Sequence, residues 1–263
     1  MKITFYKYQG AGNDFILLDN RKINYSFSSS EIKKFCDRNF GVGADGFIVL
    51  KNHNKYDFEM SYYNCDGKIS SMCGNGGRCV VHFANLLGII KFDTFFYAVD
   101  GLHYAKINKI NSVTLKMIDI EMVLVKNGNI FINSGSPHLM IEKKDIDLID
   151  VKESGFKIRN LKMFRPQGVN VNFVEKVSKK EFKIRTYERG VENETLSCGT
   201  GAVASAIAMH YLGRTKHREI KIITKGGELK VLFKFEKSYS EIFLEGPVDM
   251  IFKGEINIWA WKY

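Results

Sequence analysis

The 263-residue sequence contains no apolar run near the roughly 18 residues that would read as a membrane span, and Met1 to Gly10 lacks the charged-then-apolar layout of a signal peptide. Those absences predict a soluble, cytoplasmic protein with no membrane partner. Lysine is abundant and the formal charge is +10, yet the basic residues are scattered, as in Lys33-Lys34, Lys143-Lys144 and Lys179-Lys180. Without a basic block or an aromatic-interleaved stripe, a solvated surface is favoured and nucleic acid is not an expected partner. Five cysteines (Cys36, Cys65, Cys73, Cys79, Cys198) are an odd number in a chain with no secretory signal, which argues against a disulfide framework and for reduced thiols. Low complexity is also missing: 45% hydrophobic and 26% charged residues are ordinary globular values, enough for one large core or two modest ones.

What is present is mostly strand. Short runs rich in Ile, Val, Phe and Tyr, such as Ile3–Tyr8, Phe47–Leu50, Phe58–Tyr63, Val113–Met117, Val169–Val177 and Phe182–Tyr187, are separated by Gly, Asn and Asp, with turn signals at Asp66-Gly67 and Gly226-Gly227. An early helix is expected from about Ser29 to Asn39, because Ser28 and Glu31 have the spacing of a capping box. Two further helical segments are apolar on nearly every side: Gly74 to Leu87, stopped by Gly88, and Gly199 to Leu212, stopped by Gly213. Helices of that kind need to be enclosed.

Each of these two helices opens on the same phrase, Cys73-Gly74-Asn75-Gly76-Gly77 and Cys198-Gly199-Thr200-Gly201-Ala202. The repeat falls about half a chain apart, so the sequence reads as a duplication: an α+β protein of two related domains, each wrapping the strands of a mixed or antiparallel sheet around one buried helix. The expected N-terminal domain is 1–117, completed by a C-terminal strand within 250–263 (Ile256 to Trp261), and the expected C-terminal domain is 118–249. No Pro- or Gly-rich linker marks the boundary.

The first four amides of a helix lack internal partners, and the dipole adds about half a positive charge there. A cysteine at that position can be acidified from about 8.5 toward neutrality. The glycines behind it allow close backbone approach, so a carboxylate could rest on the amides. One Cys-Gly-x-Gly is weak, since buried cysteine is usually an inert small hydrophobe. Two copies, each opening an apolar helix in its own half, point to a pair of thiols facing one ligand across an interdomain cleft. That is the arrangement of a two-base racemase, in which a base removes an α-proton from one face and an acid returns one to the other. Neither a metal nor a pyridoxal cofactor is demanded, and none is expected.

The sequence resembles the diaminopimelate epimerases. The match runs through Gly10-Ala11-Gly12-Asn13-Asp14-Phe15, Gly41-Val42-Gly43-Ala44-Asp45-Gly46, Asn64-Cys65-Asp66-Gly67, Cys73-Gly74-Asn75-Gly76-Gly77-Arg78-Cys79 and Ser134-Gly135-Ser136-Pro137-His138. It ends with Gly168-Val169-Asn170-Val171-Asn172-Phe173, Tyr187-Glu188-Arg189-Gly190 and Glu194-Thr195-Leu196-Ser197-Cys198-Gly199-Thr200-Gly201. The resemblance implies interconversion of LL- and meso-diaminopimelate in lysine and peptidoglycan precursor synthesis, and a homodimer. It also implies Cys73 and Cys198 as the acid/base pair, with His138 and Glu188 near the reacting centre. Asn13, Asn64, Asn170 and Arg189 would be substrate clamps, and Gly74, Asn75, Gly199 and Thr200 a carboxylate cradle.

Other readings of the same residues stand beside that one. Asn13 and Asn64 lie in turn-like stretches where asparagine serves the backbone. His138 could be a surface histidine, and Arg189 could pair with Glu188 or Glu192. Cys36, Cys65 and Cys79 match no thiol role. Three departures from the family pattern concern substrate contacts: Ser136 where many members have asparagine, Gly46 where some have glutamine, and a Gly190–Glu194 stretch one residue longer than usual. A proline or hydroxyproline racemase, lacking any use for a distal clamp, and a non-catalytic metabolite-binding or RNA-associated module remain as alternatives.

Overall fold

The computed structural model describes residues 2–109, 111–126 and 128–257. The chain divides into two units, Met1–Leu115 with Pro247–Tyr263, and Lys116–Gly246. The first unit contains β1 (Lys2–Gly10), β2 (Asn13–Asp19), α1 (Ser29–Cys36), β3 (Gly46–Lys51), β4 (Phe58–Asn64), β5 (Ile69–Ser70), α2 (Gly74–Leu86), β6 (Asp93–Ala98), β7 (Gly101–Lys109) and most of β8 (Ser112–Lys116). The second holds β9 (Leu124–Lys126), β10 (Asn129–Asn133), β11 (Pro137–Glu142), α3 (Val151–Arg159), β12 (Asn170–Lys176), β13 (Glu181–Glu188), β14 (Asn193–Thr195), α4 (Gly199–Tyr211), β15 (Glu219–Thr224), β16 (Gly227–Phe235) and most of β17 (Tyr239–Pro247). The last strand, β18 (Asp249–Asn257), belongs to the first unit, where it pairs antiparallel with β1. The remainder of the expected terminal strand, residues 258–263, lies outside the described residues.

The two units have one connectivity. In the first, β18, β1 and β2 pair antiparallel in that order, β2 and β3 pair parallel, β3 and β4 antiparallel, β4 and β6 parallel, and β6, β7 and β8 antiparallel. In the second, the same alternation runs through β9, β10, β11, β12, β13, β15, β16 and β17, with the parallel steps at β11–β12 and β13–β15. Both parallel steps require a crossover, and helices provide it: α1 and α2 in the first unit, α3 and α4 in the second. The duplication read from two cysteine phrases is therefore a duplication of topology. Its edge strand in the first unit comes from the far end of the chain.

Each unit encloses its apolar helix. Helix α2 packs on β1, β2, β3 and β7, and α4 on β10 to β13, β15 and β16. Their buried residues run almost without interruption, Gly74 to Val81 in one and Gly201 to Met209 in the other. Both end as expected, in Gly88 at φ 72° and Gly213 at φ 69°. At α1 the capping box is present, with Ser28 Oγ accepting from the Glu31 amide and Glu31 accepting from the Ser28 amide. The helix is shorter than expected, however, stopping at Cys36. Asp37 turns extended and its carboxylate takes the Asn39 and Phe40 amides at 2.8 and 2.7 Å, a local bond that competes with another helical turn. No helix among the described residues is long and apolar enough to cross a membrane.

Candidate active site

In the first unit a side-chain cluster forms where the β1–β2 hairpin meets the start of α2. Ala11 and Gly12 take left-handed φ of 52° and 85°, which closes a two-residue turn and brings Asn13 opposite Gly10. Gly10 must be small: a Cβ there would stand 3.2 Å from both the Asn75 carbonyl and Cys79 Sγ. Cys73 occupies the N-cap position of α2 in extended conformation, with its Sγ 3.8 Å from Asn13 Oδ1. The orientation of Asn13 follows from its other bond, Nδ2 to the Asp45 carboxylate at 2.6 Å, since a carboxylate only accepts. Its Oδ1 therefore faces Cys73 and also receives Asn75 Nδ2 at 3.5 Å.

Asp45 is held by Arg38, which also forks onto Asp14 at 3.0 and 2.8 Å, while Lys7 binds Asp14 at 2.7 Å. Burial raises the Asp14 carboxyl, but Arg38 and Lys7 outweigh it and hold the group well below the usual carboxylate range. Its folded value lies below its unfolded value near ~3.9, so the stabilisation is complete above that pH and is lost as pH falls through the folded value. We expect Asp14→Asn to lower stability by roughly 1–2 kcal/mol at neutral pH, allowing for the exposure of Arg38, with the gap from wild type closing below about pH 4. Urea titrations of both proteins across pH would show a constant gap if Asp14 is not ionised in the fold.

Asn64 ends β4 opposite Gly46, exposed, with its amide bonded to the Lys68 carbonyl at 3.0 Å, and it makes no side-chain hydrogen bond among the described residues. At Gly46 the space for a side chain is taken, because a Cβ would lie 2.5 Å from the Tyr62 ring. Cys36 and Cys79 are buried, and burial pushes both thiols up, Cys36 to about 12. Cys65 is exposed, so it is not a core residue.

In the second unit the corresponding residues form a continuous hydrogen-bonded chain. Cys198, only 7% exposed, is the N-cap residue of α4, and its Sγ lies 3.5 Å from Thr200 Oγ1. That hydroxyl is 2.9 Å from His138 Nε2, and His138 Nδ1 is 3.0 Å from Asn172 Nδ2. Asn172 Nδ2 also donates to the Leu139 carbonyl at 3.2 Å while its Oδ1 accepts from Thr186 at 2.9 Å. The amide orientation thus makes Nδ1 of His138 an acceptor, and the ring proton belongs on Nε2, directed at Thr200. His138 is 1% exposed, which overturns the surface-histidine reading, and burial pushes its pKa down to about 3. It is a neutral ring at any working pH.

Asn170, two residues before Asn172 on the same face of β12, donates to Ser136 Oγ at 2.9 Å and accepts from the Arg189 amide at 2.8 Å. Ser136 is therefore engaged with Asn170. The contact of Asn170 Nδ2 with His138 Nε2, at 3.5 Å, is no hydrogen bond once that nitrogen carries the proton. Arg189 opens the β13–β14 turn and donates Nη1 to the Gln167 carbonyl at 3.1 Å, and Glu188 precedes it at the end of β13. Glu192, at φ 57° in the longer loop, pairs with Arg159 at 2.9 Å. Gly201 leaves room for Asn172, whose Oδ1 would be 2.7 Å from a Cβ there.

Cys73, Asn13 and Asn75 thus lie together in one unit, and Cys198, Thr200, His138, Asn170 and Arg189 in the other. Asn172 was not singled out from sequence, although the alternation Asn170-x-Asn172 along a strand was a sign that both face one side. Among the described residues no group of three His, Cys, Asp or Glu side chains is placed to hold a metal ion.

Residues 5–111 and 130–251 match the family model described as diaminopimelate epimerase. A protein named diaminopimelate epimerase from Flavobacterium psychrophilum is 50% identical over 256 residues, covering 97% of this chain and all of that one. Another of that name from Aquifex aeolicus is 37% identical over 274 residues, covering 97% and 98%. Among solved structures, a PhzF-family phenazine biosynthesis protein from Bacillus anthracis superposes with a TM-score of 0.79 at 12% identity, covering 98% and 99% of the two chains. A probable proline racemase from Agrobacterium radiobacter gives 0.71 at 15%, covering 97% and 93%. At such identities the likeness is one of fold.

Proposed function

This chain belongs to the diaminopimelate epimerase family and is an isomerase, and from that premise we propose that it interconverts LL- and meso-2,6-diaminopimelate by proton transfer between two cysteines. The observation that carries the reading is the repeated helix start: each unit has a cysteine at the N-cap of its enclosed helix, where the dipole and the first-turn amides favour an anion.

One thiolate takes the α-proton, and the electrons of the C–H bond pass into the adjacent carboxylate. The other thiol delivers its proton to the opposite face of the same carbon, leaving thiol and thiolate exchanged. The amides of Gly74, Asn75, Gly199 and Thr200 stabilise the charge that builds on the carboxylate. His138, neutral and aimed at Thr200, assists by polarising that hydroxyl, and Glu188 faces the substrate amine. Asn13, Asn64, Asn170 and Arg189 are the substrate clamps, and the guanidinium of Arg189 can take the distal carboxylate bidentately. The reaction so written needs no cofactor. A place in lysine and peptidoglycan precursor synthesis, a cytoplasmic location and a homodimeric assembly belong to the same reading.

The test is incubation of freshly reduced, metal-free protein with LL-diaminopimelate in deuterated water without added cofactor. Conversion to the meso isomer with α-deuterium incorporated is expected. No conversion with verified free thiols would overturn the substrate assignment, and a proline and hydroxyproline panel would then separate a related racemase from a binding module.

A further inference from the structure

Helix α2 carries a full charge in a place where a charge is costly. Arg78 is completely buried, on a helix whose other buried residues are Gly, Val, Phe, Ala, Cys79 and Asn75. Its guanidinium folds back over the first turn, giving Nη1 to the Gly74 carbonyl at 3.1 Å and Nη2 to Asn75 Oδ1 at 2.9 Å. Both acceptors are neutral, and Nε has no partner among the described residues. Buried arginine is ordinarily paired with a carboxylate, because desolvation otherwise opposes the fold. Arginine does not escape by losing its proton.

Among the described residues, the ionisable groups that act on it electrostatically are Cys79 and Cys73. Cys79 is fully buried and its thiol is pushed far up, so it stays neutral. Further off, Asp100 accepts from the Met72 amide, Asp45 lies behind Asn13, and Asp249 acts on Cys79 and His82. The same guanidinium also fixes the amide of Asn75, whose Nδ2 then faces Asn13 Oδ1.

We infer that Arg78 is a positioning residue whose buried, uncompensated charge is matched by the Cys73 thiolate at the start of α2. The carbonyl oxygen of Asn13 suits Cys73 as a thiol, since an S–H can donate to it. The cation beneath suits the thiolate. A group that must be acid in one direction and base in the other needs both. The inference rests on reading Cys73 as an acid/base group, but its test does not require any reaction.

Site-resolved alkylation with iodoacetamide, followed by mass spectrometry across pH, reads the thiolate at each cysteine. In Arg78→Met the midpoint for Cys73 is expected to rise by about one unit or more, lowering its labelling near neutral pH about tenfold, while exposed Cys65 is unchanged. The melting temperature should hold or rise, since a packed apolar side chain replaces a desolvated charge. A purely structural staple predicts the reverse, a lower melting temperature with an unmoved midpoint, and that result overturns the inference. Should Arg78→Met fail to fold, Arg78→Lys and Arg78→Gln separate charge from hydrogen bonding. Lysine is expected to keep the midpoint low and glutamine to raise it; equal midpoints in the two would also overturn it. Failure to turn over diaminopimelate, with the Cys73 shift present, would count against the proposed substrate and leave Arg78 as assigned.

Discussion

Replacing Cys198 by serine is expected to lower epimerase turnover by about 10²–10⁴-fold, the range for loss of a general acid or base, with the fold intact. The change is nearly isosteric, at a residue whose Sγ contacts Thr200 Oγ1 at 3.5 Å, so packing around α4 should survive. Chemistry should not. A hydroxyl is a much weaker acid than a thiol, and neither the helix dipole nor Thr200 can bring it near neutrality. Cys73→Ser should fail to the same degree. Each variant keeps one competent thiol, which makes the outcome asymmetric: Cys198→Ser should take up α-deuterium from one stereoisomer only and return it to the same face. Such exchange without inversion, followed by stereochemical analysis beside a melting curve, would identify the face served by Cys73. Unchanged turnover in either variant would end the two-base assignment.

The surroundings of the two thiols differ. At Cys73 the buried guanidinium of Arg78 is bonded to the first helical residues, and the sulfur lies 3.8 Å from the Asn13 carbonyl oxygen. At Cys198 there is a hydroxyl, backed by a neutral imidazole and an asparagine. A reversible epimerase needs its shared proton nearly balanced between the two sulfurs, because strong preference for one thiolate would slow one direction. Unlike devices of similar strength can meet that requirement.

The helix starts were legible because a cysteine followed by spaced glycines, ahead of an apolar run and ending in another glycine, is a local pattern. So was the duplication, since it is carried by two such patterns. What escaped is what joins residues distant in sequence. Nothing local says that Asp14, Arg38 and Asp45 form the brace behind Asn13. His138 could be read as a surface residue because Pro137-His138 carries no mark of burial; the parallel pairing of His138 with Asn170 brings it under Thr200. Arg78 was visible as a letter in the motif, but its burial depends on the sheet around α2. The early helix was overextended because Asp37 reads equally as a helix residue and as an Asx turn.

Asn172→Asp should separate the tautomer of His138 from its mere presence. In the native chain Asn172 donates to Nδ1, the ring proton sits on Nε2 and points at Thr200, and the Thr200 hydroxyl hydrogen is left for Cys198 Sγ. An aspartate has nothing to donate, so it draws the ring proton to Nδ1 and makes Nε2 an acceptor. Thr200 then donates to the ring and is lost to the sulfur. A hydrogen bond to a charged group contributes roughly 1.5–3 kcal/mol, which corresponds to about one to two pH units in the ionisation of Cys198. We expect the alkylation midpoint of Cys198 to rise by that amount, kcat to fall about 10- to 100-fold, and the lower limb of the pH–rate profile to move upward. Thr200→Val should shift Cys198 in the same direction, because it removes the same hydroxyl by a shorter route. If Asn172→Asp folds yet leaves Cys198 labelling and the pH profile where they are in wild type, the imidazole is packing material and the chain from Asn172 to Cys198 has no part in the proton transfer.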